Sequence, residues 1–460
     1  MAKKWLNEMM ELIGAEKIST NETALYQYSK DESFHSPVMP DAVAFPESTF
    51  DVMKIVETAR KHGVPITDYG AGSGLEGQSI PLKKGLSISF EQMKNIISFS
   101  PEDLAITVQP GITRMELNQA INKHGLYFPI DPGADASIGG MVATNASGTT
   151  AVRYGAMRDQ ILDLEVVLSD GKVIHTGSRA KKSSSGYHLN GLFAGSEGTL
   201  GIITEITLKL HGIPEHTVAA RCTFTHLKDC IEASQAVLQY GIPVLRMELV
   251  DAPSIRQVNV YGDYDYPEYH SLFFEFAGTK GNAEEDANTV EQLMSSLGCM
   301  NWERENDSMK RAQLWKARHE MAYAFRHKKG LEVSGADACV PISQLAEIIM
   351  YTRDLIDGSG LLGGILGHVG DGNFHTLVMY DPNQQDEVDA AEEIKELITF
   401  RAIELGGTCT GEHGVGIGKM KYQKAEHGLA LKVMQQIKHV FDPDQILNPG
   451  KMFIEKSRIL

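Results

Sequence analysis

The sequence predicts an α+β fold in which two domains follow different patterns. Up to about residue 210, short apolar strands alternate with single amphipathic helices and glycine-rich loops. Beyond that point the glycine density falls, and strands alternate with longer helices, which indicates a second sheet with helices on one face. The length of 460 residues allows such a division, because a typical domain has about 150 residues.

Local signals predict the elements of the first domain. Residues 41–46, DAVAFP, have the composition of a strand, and Ser48 then offers an N-cap for a helix that Gly63 ends. Thr113 caps a second helix, and the turn Asp170-Gly171 joins two strands between residues 162 and 177. Further strands are expected at 64–70, 86–90 and 104–110.

The second domain is expected to begin after a boundary at residues 212–215. Its predicted strands cover residues 219–224, 245–250 and 272–276, and its predicted helices cover 227–239, 282–297, 308–327 and 342–356. A last helix is expected at about 425–441. These boundaries divide the chain into an N-terminal helical segment (1–40), a first domain (41–214), a second domain (215–418) and a C-terminal segment (419–460).

Composition and charge exclude several classes of protein. The formal net charge of −17 argues against a nucleic-acid-binding protein and against electrostatic attachment to an anionic membrane. No apolar run reaches the roughly 18 residues of a membrane span, and the first residues do not resemble a secretory signal. Five cysteines without a CxxC motif fit a reducing compartment. We therefore expect a cytoplasmic enzyme.

Three glycine-rich stretches indicate a large ligand in the first domain. Residues 70–77, GAGSGLEG, satisfy the G-x-G-x-x-G pattern, but Pro81 and a strand follow where a dinucleotide-binding motif requires a helix. The loop could still bind a pyrophosphate through its backbone N–H groups, or it could be a tight turn. Two further stretches, 131–159 and 194–206, favour a backbone that approaches a ligand closely.

Two histidine motifs in the second domain are candidates for a metal site. GHVGDGNFH places His368 and His375 on either side of a Gly-rich turn, so their rings can converge across a hairpin. GEHGVG adds Glu412 and His413. Two imidazoles and one carboxylate suit zinc, manganese or iron, whereas each histidine alone is more often structural.

Arg318 lies on a predicted amphipathic helix, within WKARHEMAYAF. Its guanidinium could bind a substrate carboxylate through two parallel hydrogen bonds. The alternative is an ordinary solvated charge on a helix surface.

Together, GAGSGLEG, DPGADASIGGMVATNASG, RYG and GSEGTLGIIT resemble the FAD-binding domain of the vanillyl-alcohol oxidase and p-cresol methylhydroxylase (PCMH) superfamily. Within it, the chain is similar from about Asp41 to Phe453 to the D-lactate dehydrogenase and glycolate oxidase FAD-subunit group. The resemblance implies a two-part PCMH-type domain with non-covalent FAD. It also implies a ferredoxin-like α+β cap that binds the substrate, and a C-terminal helical segment that returns to the FAD domain.

The resemblance assigns a role to each matching residue. Gly70, Ala71, Gly72, Ser73 and Gly74 would bind the FAD pyrophosphate. The flavin and ribityl groups would be lined by Pro132, Gly133, Ser137, Gly139, Gly140, Asn145, Gly148, Tyr154 and Gly155. Glu197, Gly198 and Ile203 would lie by the adenosine half. Asn448, in NPGKMF, would contact the flavin unless it serves only as a turn and cap. One divalent metal would be held by His368, His375 and Glu412, with His413 as the base and Arg318 as the carboxylate clamp.

The implied reaction is oxidation of a D-2-hydroxy acid to the 2-oxo acid, with hydride transfer to flavin N5. Relatives that act on 2-hydroxyglutarate have a lysine where this chain has Gly335, so lactate or glycolate is expected. The electron acceptor could be a quinone, a cytochrome, an electron-transfer flavoprotein or an iron–sulfur subunit, and a partner of this kind could hold the protein at a membrane. A homodimer is compatible with the resemblance. The alternatives are an FAD-binding subunit without independent activity and a flavin-free metal hydrolase.

Overall fold

The computed structural model describes residues 4–454, without the side chains of Ala317 and Ala322. The chain forms two compact units. The first contains the residues up to Ser147, Tyr154–Ile213 and the residues from Glu412 onwards. The second contains Gly148–Arg153 and Pro214–Gly411.

A small, mostly parallel sheet opens the first unit. Its elements are α1 (Lys4–Ile13), β1 (Ile18–Ser19), α2 (Glu22–Gln27), β2 (Ala42–Ala44), α3 (Thr49–His62), β3 (Ile66–Tyr69) and β4 (Leu86–Ser89). The strand order is β1-β2-β4-β3, and only β1 is antiparallel to its neighbour. The predicted caps of α3 are confirmed, because Ser48 accepts a hydrogen bond from the Asp51 N–H and Gly63 has a φ of 62°.

An antiparallel sheet forms the rest of the first unit up to residue 213. The elements of this stretch of the chain are β5 (Ile96–Ser100), β6 (Ala105–Val108), α4 (Arg114–Ile121), β7 (Leu126–Tyr127), α5 (Ile138–Thr144), α6 (Ala151–Tyr154), α7 (Met157–Gln160), β8 (Ile161–Val167), β9 (Val173–His175), α8 (Leu189–Phe193), β10 (Ile202–Lys209) and β11 (His211–Gly212). Most of α6 belongs to the second unit. The sheet order is β5-β6-β10-β8-β9, and β7 pairs with β11. Thr113 and Glu116 form a capping box at the start of α4, as the predicted cap requires.

Helix α5 was not expected from its glycine-rich sequence. Ser137 caps it by accepting a hydrogen bond from the Gly140 N–H, and Asn145 ends it in the left-handed conformation, with a φ of 52°. Ile138, Met141 and Val142 are buried at helical spacing, and this packing outweighs the poor helix propensity of the two glycines.

The second unit contains one large antiparallel sheet. Its elements are β12 (His216–Phe224), α9 (Leu227–Gln239), β13 (Val244–Val250), α10 (Ala252–Gly262), β14 (His270–Gly278), α11 (Lys280–Ser296), β15 (Asn301–Glu305), α12 (Ser308–Arg326), β16 (Glu332–Ser334), β17 (Asp337–Cys339), α13 (Leu345–Ser359), β18 (Gly363–Gly367), β19 (Asn373–Tyr380) and α14 (Gln385–Glu404). The strand order is β15-β12-β14-β13-β18-β19-β16, and β17 pairs with β19.

Helices cover both faces of this sheet, so the expectation of one covered face is wrong. On β12, Ala220 and Cys222 pack in a core with α9, α11, α13 and α14. Ala219, on the opposite face of the same strand, packs with Phe273 in a second core that contains residues of α10 and α12. The sequence did not reveal this because the central strands are apolar on both sides.

The chain ends in two helices, α15 (Gln423–His427) and α16 (Ala430–Phe441), where one helix was expected. Gly428, with a φ of 51° and a ψ of −119°, breaks the helix between them. The segment that follows returns to the first sheet, where the Asn448 N–H donates to the carbonyl of Ile66 over 2.7 Å. Within residues 4–454, no helix is long and apolar enough to cross a membrane.

Candidate active site

The glycine loop of the first unit leaves β3 without opening a helix, as predicted. Among the described residues, the backbone N–H groups of Ala71, Gly72, Ser73 and Gly74 donate to no protein acceptor. Successive unpaired N–H groups in a loop can bind an anion such as a phosphate. The loop therefore has the donors that a pyrophosphate requires.

A cavity of about 260 Å³ adjoins this loop within the first unit, and its walls include Gly70, Ala71 and Ser137. A Cβ at Gly70 would lie 2.5 Å from the Ser137 Oγ, so the close approach of these two segments requires glycine. The cavity thus brings together residues that were predicted to bind the pyrophosphate and the flavin. These residues fit a phosphate-bearing cofactor.

Other predicted FAD residues of the first unit have mainly local roles in the structure. A Cβ at Gly139 would lie 2.5 Å from the Pro110 Cβ, and Gly155 has a φ of 77°. The Tyr154 hydroxyl accepts a hydrogen bond from Tyr127 over 2.7 Å. The remaining positions are distributed as follows: Pro132 and Gly133 precede α5, Gly140 lies in α5, Asn145 ends it, Ile203 is buried on β10, and Gly148 belongs to the second unit.

Glu197 is a buried carboxylate that holds a later part of the same unit. Its Oε1 accepts the Val415 N–H over 2.6 Å, and its Oε2 accepts the Gly416 N–H over 2.8 Å. Burial raises the pKa of Glu197 to about 7, although the two N–H groups oppose this shift. Glu197 and Gly198 are both left-handed, with φ values of 50° and 68°.

Asn448 is held by the protein itself. Its Nδ2 donates to the carbonyls of Gln78 and Glu197, and its Oδ1 accepts from the Lys451 Nζ over 3.0 Å. Lys451 is buried, which lowers its pKa to about 8. Both amide donors of Asn448 are therefore used by backbone acceptors, and its role as a flavin contact stays a prediction.

In the second unit, His368 and His375 meet across the hairpin of β18 and β19. Leu366 pairs with His375, and the turn after β18 carries His368 to the same side. The ring centroids are 5.3 Å apart with the planes nearly perpendicular. One ring nitrogen of each histidine lies within 4.8 Å of the other. The sequence prediction that the two imidazoles converge is borne out by this geometry.

Glu248, a residue that the sequence analysis missed, contacts two of the predicted site residues. Its Oε1 accepts from the His368 Nδ1 over 2.6 Å, and its Oε2 accepts from the Arg318 Nε and Nη2 over 2.8 and 2.7 Å. Burial alone would raise the pKa of Glu248, but the charges of His368 and Arg318 keep it below its ordinary value. A glutamate inside the apolar strand LRMELV was the available sequence signal.

Arg318 is only slightly exposed, and its Nε–Nη2 edge is bound by Glu248. The alternative of a solvated helix charge is therefore wrong. A substrate carboxylate would have to meet this guanidinium at its other edge, which includes Nη1.

Asp337, which was also not predicted as a site residue, lies beside His375 as Glu248 lies beside His368. Its Oδ1 lies 3.4 Å from the His375 Nδ1 and accepts from the Asn373 Nδ2 over 2.8 Å. Its Oδ2 accepts the Gly411 N–H over 2.9 Å and the Thr410 hydroxyl over 3.0 Å. The His368 Nδ1 is hydrogen-bonded to Glu248, which leaves Nε2 as the nitrogen that can serve as a metal ligand. The His375 Nδ1 only lies near the Asp337 carboxylate, at 3.4 Å.

Glu412 and His413 follow Gly411 directly and belong to the first unit. The Glu412 Oε2 accepts a hydrogen bond from the Ser147 hydroxyl over 2.8 Å. Ser147 lies in the NASG motif, beside Asn145, so Glu412 contacts a stretch that was predicted to line the flavin. The carbonyl of His413 accepts from the Gln78 Nε2 over 2.7 Å.

Family models match most of the chain. Residues 40–177 match the FAD binding domain, and residues 213–452 match the C-terminal domain of FAD linked oxidases. The chain belongs to the FAD-linked oxidase family. FAD is therefore its cofactor, and the prediction of an FAD-binding domain is confirmed.

Curated relatives cover most of this chain. A probable mitochondrial D-lactate dehydrogenase of Danio rerio is 41% identical over 97% of this chain and 91% of its own length. A mitochondrial D-lactate dehydrogenase (cytochrome) of Arabidopsis thaliana is 42% identical over 98% and 80%. Glycolate oxidase subunit GlcD of Bacillus subtilis (strain 168) is 32% identical over 98% and 97%. The predicted family group is thereby confirmed.

Solved structures share the fold at low sequence identity. 4-Ethylphenol oxidase from Gulosibacter chungangensis has a TM-score of 0.79 at 19% identity, covering 99% of this chain and 98% of its own. p-Cresol methylhydroxylase has a TM-score of 0.79 at 17% identity, covering 98% and 96%. The predicted PCMH-type α+β fold is confirmed.

Proposed function

We propose that this protein oxidises a D-2-hydroxy acid, D-lactate or glycolate, to the 2-oxo acid with FAD and one divalent metal. The observation that carries the proposal is the convergence of His368 and His375, whose ring centroids are 5.3 Å apart, in a chain 41% and 42% identical to two D-lactate dehydrogenases. When bound, FAD supplies the oxidising power for a two-electron reaction, and the metal supplies Lewis acidity at the substrate hydroxyl.

His368, His375 and Glu412 are the ligands that we assign to the metal. The histidine nitrogens approach within 4.8 Å, and the hydrogen bond of Glu248 to the His368 Nδ1 selects Nε2 as the ligand atom of His368. Glu412 follows Gly411, whose N–H is bound by the same Asp337 that lies beside His375. Zinc, manganese and iron all suit two nitrogens and one oxygen.

His413 is the residue that we assign as the general base. A neutral imidazole can accept the hydroxyl proton near pH 7. Arg318 would orient the substrate by pairing its outer guanidinium edge with the carboxylate. Both assignments rest on the family resemblance, and that of Arg318 is also supported by its buried position against Glu248.

The glycine at position 335, where relatives that act on 2-hydroxyglutarate have a lysine, favours a short substrate. A Cβ at this position would lie 2.9 Å from the carbonyl oxygen of Thr376, so this backbone has no room for a side chain there. A lysine that would bind a second carboxylate is therefore excluded without a backbone shift. This favours a monocarboxylate over 2-hydroxyglutarate.

A cytochrome is the acceptor that we favour among the four candidates, because the name of the Arabidopsis relative includes it. The two D-lactate dehydrogenase relatives are named as mitochondrial. The cytoplasmic location, the membrane association through a partner and the homodimer stay predictions.

The decisive experiment is an anaerobic screen of flavin bleaching. We expect D-lactate or glycolate to bleach the flavin of the purified protein, whereas L-lactate, malate and 2-hydroxyglutarate react far more slowly. Chelation should abolish bleaching while the protein stays yellow, because FAD and metal are bound by different residues. Full bleaching by a verified metal-free sample would remove the metal from the reaction.

The similarity to glycolate oxidase subunit GlcD supports a second candidate, an FAD-binding subunit that requires partners for activity. Failure of every tested hydroxy acid to bleach the metal-loaded protein would favour this candidate. The flavin-free hydrolase is excluded by the FAD-binding domain.

A further inference from the structure

The contacts of Glu248 join two groups that the proposed function uses for different tasks. One oxygen binds His368, a proposed metal ligand, and the other binds Arg318, the proposed partner of the substrate carboxylate. The carboxylate has no solvent exposure, and the Arg318 side chain is 12% exposed. An ion pair this deeply buried keeps its geometry, because neither partner can exchange its hydrogen bonds for water.

We propose that Glu248 is a positioning residue that sets the metal affinity and the substrate affinity together. This inference rests on the proposed function. By accepting from the His368 Nδ1, Glu248 fixes the tautomer in which Nε2 carries the lone pair that a metal needs. By accepting from Nε and Nη2 of Arg318, it directs the remaining edge of the guanidinium toward a ligand.

Glutamine at this position would disrupt both contacts while preserving the volume. Its amide offers one acceptor and one donor group, and the donor cannot accept from either the imidazole N–H or the guanidinium. One partner must then lose its hydrogen bond or, in the case of His368, change its tautomer. Glu248 itself would contact neither the metal nor the substrate. Its replacement would therefore change their binding indirectly, through His368 and Arg318.

The test measures metal binding, independently of turnover, in the full-length FAD-loaded protein. Dissociation constants for Zn²⁺ and Mn²⁺ are determined by competition with a chromophoric chelator. We expect Glu248→Gln to weaken metal binding about 10- to 100-fold, as is typical when a carboxylate behind a ligating histidine is replaced. With the metal restored to saturation, its KM should remain raised, because Arg318 is still misdirected.

Glu275→Gln is the matched control. Glu275 is a buried glutamate on the neighbouring strand β14 and is paired with Arg246 of β13 over 3.1 Å. Its replacement should leave metal affinity within about three-fold of the wild type, since it is paired with Arg246 rather than with Arg318. Equal losses in both variants would show that any buried charge in this sheet has the same effect, and would overturn the positioning role.

Glu248→Asp covers the case in which the glutamine variant does not fold. It keeps the charge but is one methylene shorter, so it cannot reach both partners, and several-fold weaker metal binding is expected. Wild-type metal affinity in either Glu248 variant would overturn the inference and leave the proposed function intact. A wild-type protein that binds neither metal would instead contradict the metal site itself.

Discussion

Two buried glutamates, one in each unit, have pKa values shifted in opposite directions. In the first unit, Glu197 accepts two backbone N–H groups, and burial raises its pKa to about 7. In the second unit, Glu248 is equally buried but is bound by His368 and Arg318, and its pKa is lowered. Burial raises the pKa of both carboxylates, and the partners that replace water decide the direction of the net shift.

The same contrast applies to the two candidate ligand-binding regions. In the first unit, unpaired N–H groups of the glycine loop and close backbone approach create the region. In the second, side-chain charges from β13, α12 and the β18–β19 hairpin create it. Binding in the glycine-loop region should be weakened by substitutions that add side-chain atoms. The region of the second unit should instead be disrupted by substitutions that remove a charged side chain.

The largest effect is expected from removing a charge in the second unit. Arg318→Met leaves the Glu248 Oε2 without its cation, and breaking a buried pair in this way costs about 3–5 kcal/mol of unfolding free energy. Denaturant unfolding would measure the loss. Arg401→Met is the control, because the Arg401–Glu347 pair is largely exposed and should contribute little to stability. Equal losses would erase the contrast between buried and exposed pairs.

His413→Ala tests whether a side chain from the first unit is also essential. We expect flavin reduction by the substrate to slow by at least about 100-fold, because a general base contributes this much, while FAD stays bound. Stopped-flow bleaching would measure the rate. His439→Ala, at an exposed position of α16, should react like the wild type. A near-normal rate in His413→Ala would assign the base elsewhere.

A smaller effect is expected from replacing Glu197, the buried glutamate of the first unit whose pKa is raised. The folded pKa of Glu197, about 7, lies above its ordinary value of 4.5, so its stabilising contribution is full below pH 4.5 and is lost as the pH rises through 7. Glu197→Gln should remove this dependence. Between pH 4.5 and 8 its stability relative to the wild type should increase, on the order of 3 kcal/mol. Melting temperatures across that range would test the sign, and parallel curves would contradict it.

The smallest effect is expected from a substitution in the glycine loop of the first unit. Gly70→Ala would place a Cβ 2.5 Å from the Ser137 Oγ, and such overpacking costs about 1–3 kcal/mol, so FAD affinity should fall about ten-fold or more. Flavin fluorescence during dilution would report the release. Gly212→Ala is the control, because no atom lies within 4 Å of its added Cβ. Unchanged FAD affinity in Gly70→Ala would exclude this contact from the cofactor site.

Local signals explain which parts of the fold were predictable. Ser48, Gly63 and Thr113 lie where predicted, because caps and left-handed stops depend only on residues a few positions away. The convergence of His368 and His375 was predictable for the same reason, since a glycine turn of known length sets the register of a hairpin.

Distant pairings explain what was missed. Glu248 is 120 residues from His368, and Asp337 is 74 residues from Gly411. No local pattern links such positions, and an acidic residue in a strand is usually solvated at the surface. Helix α5 was missed because its stability depends on burying Ile138, Met141 and Val142 rather than on its own propensity.

The sequence alone determined the residue types that do the chemistry: the glycine loops, the histidine motifs and the caps, because each depends on spacing within a few residues. Only the tertiary structure decided which carboxylates stand behind the histidines, what holds Arg318 and which buried glutamate keeps its charge. These contacts depend on which strands lie next to each other and on which side chains exclude water from the buried charges. Both are determined by the packing of the whole chain.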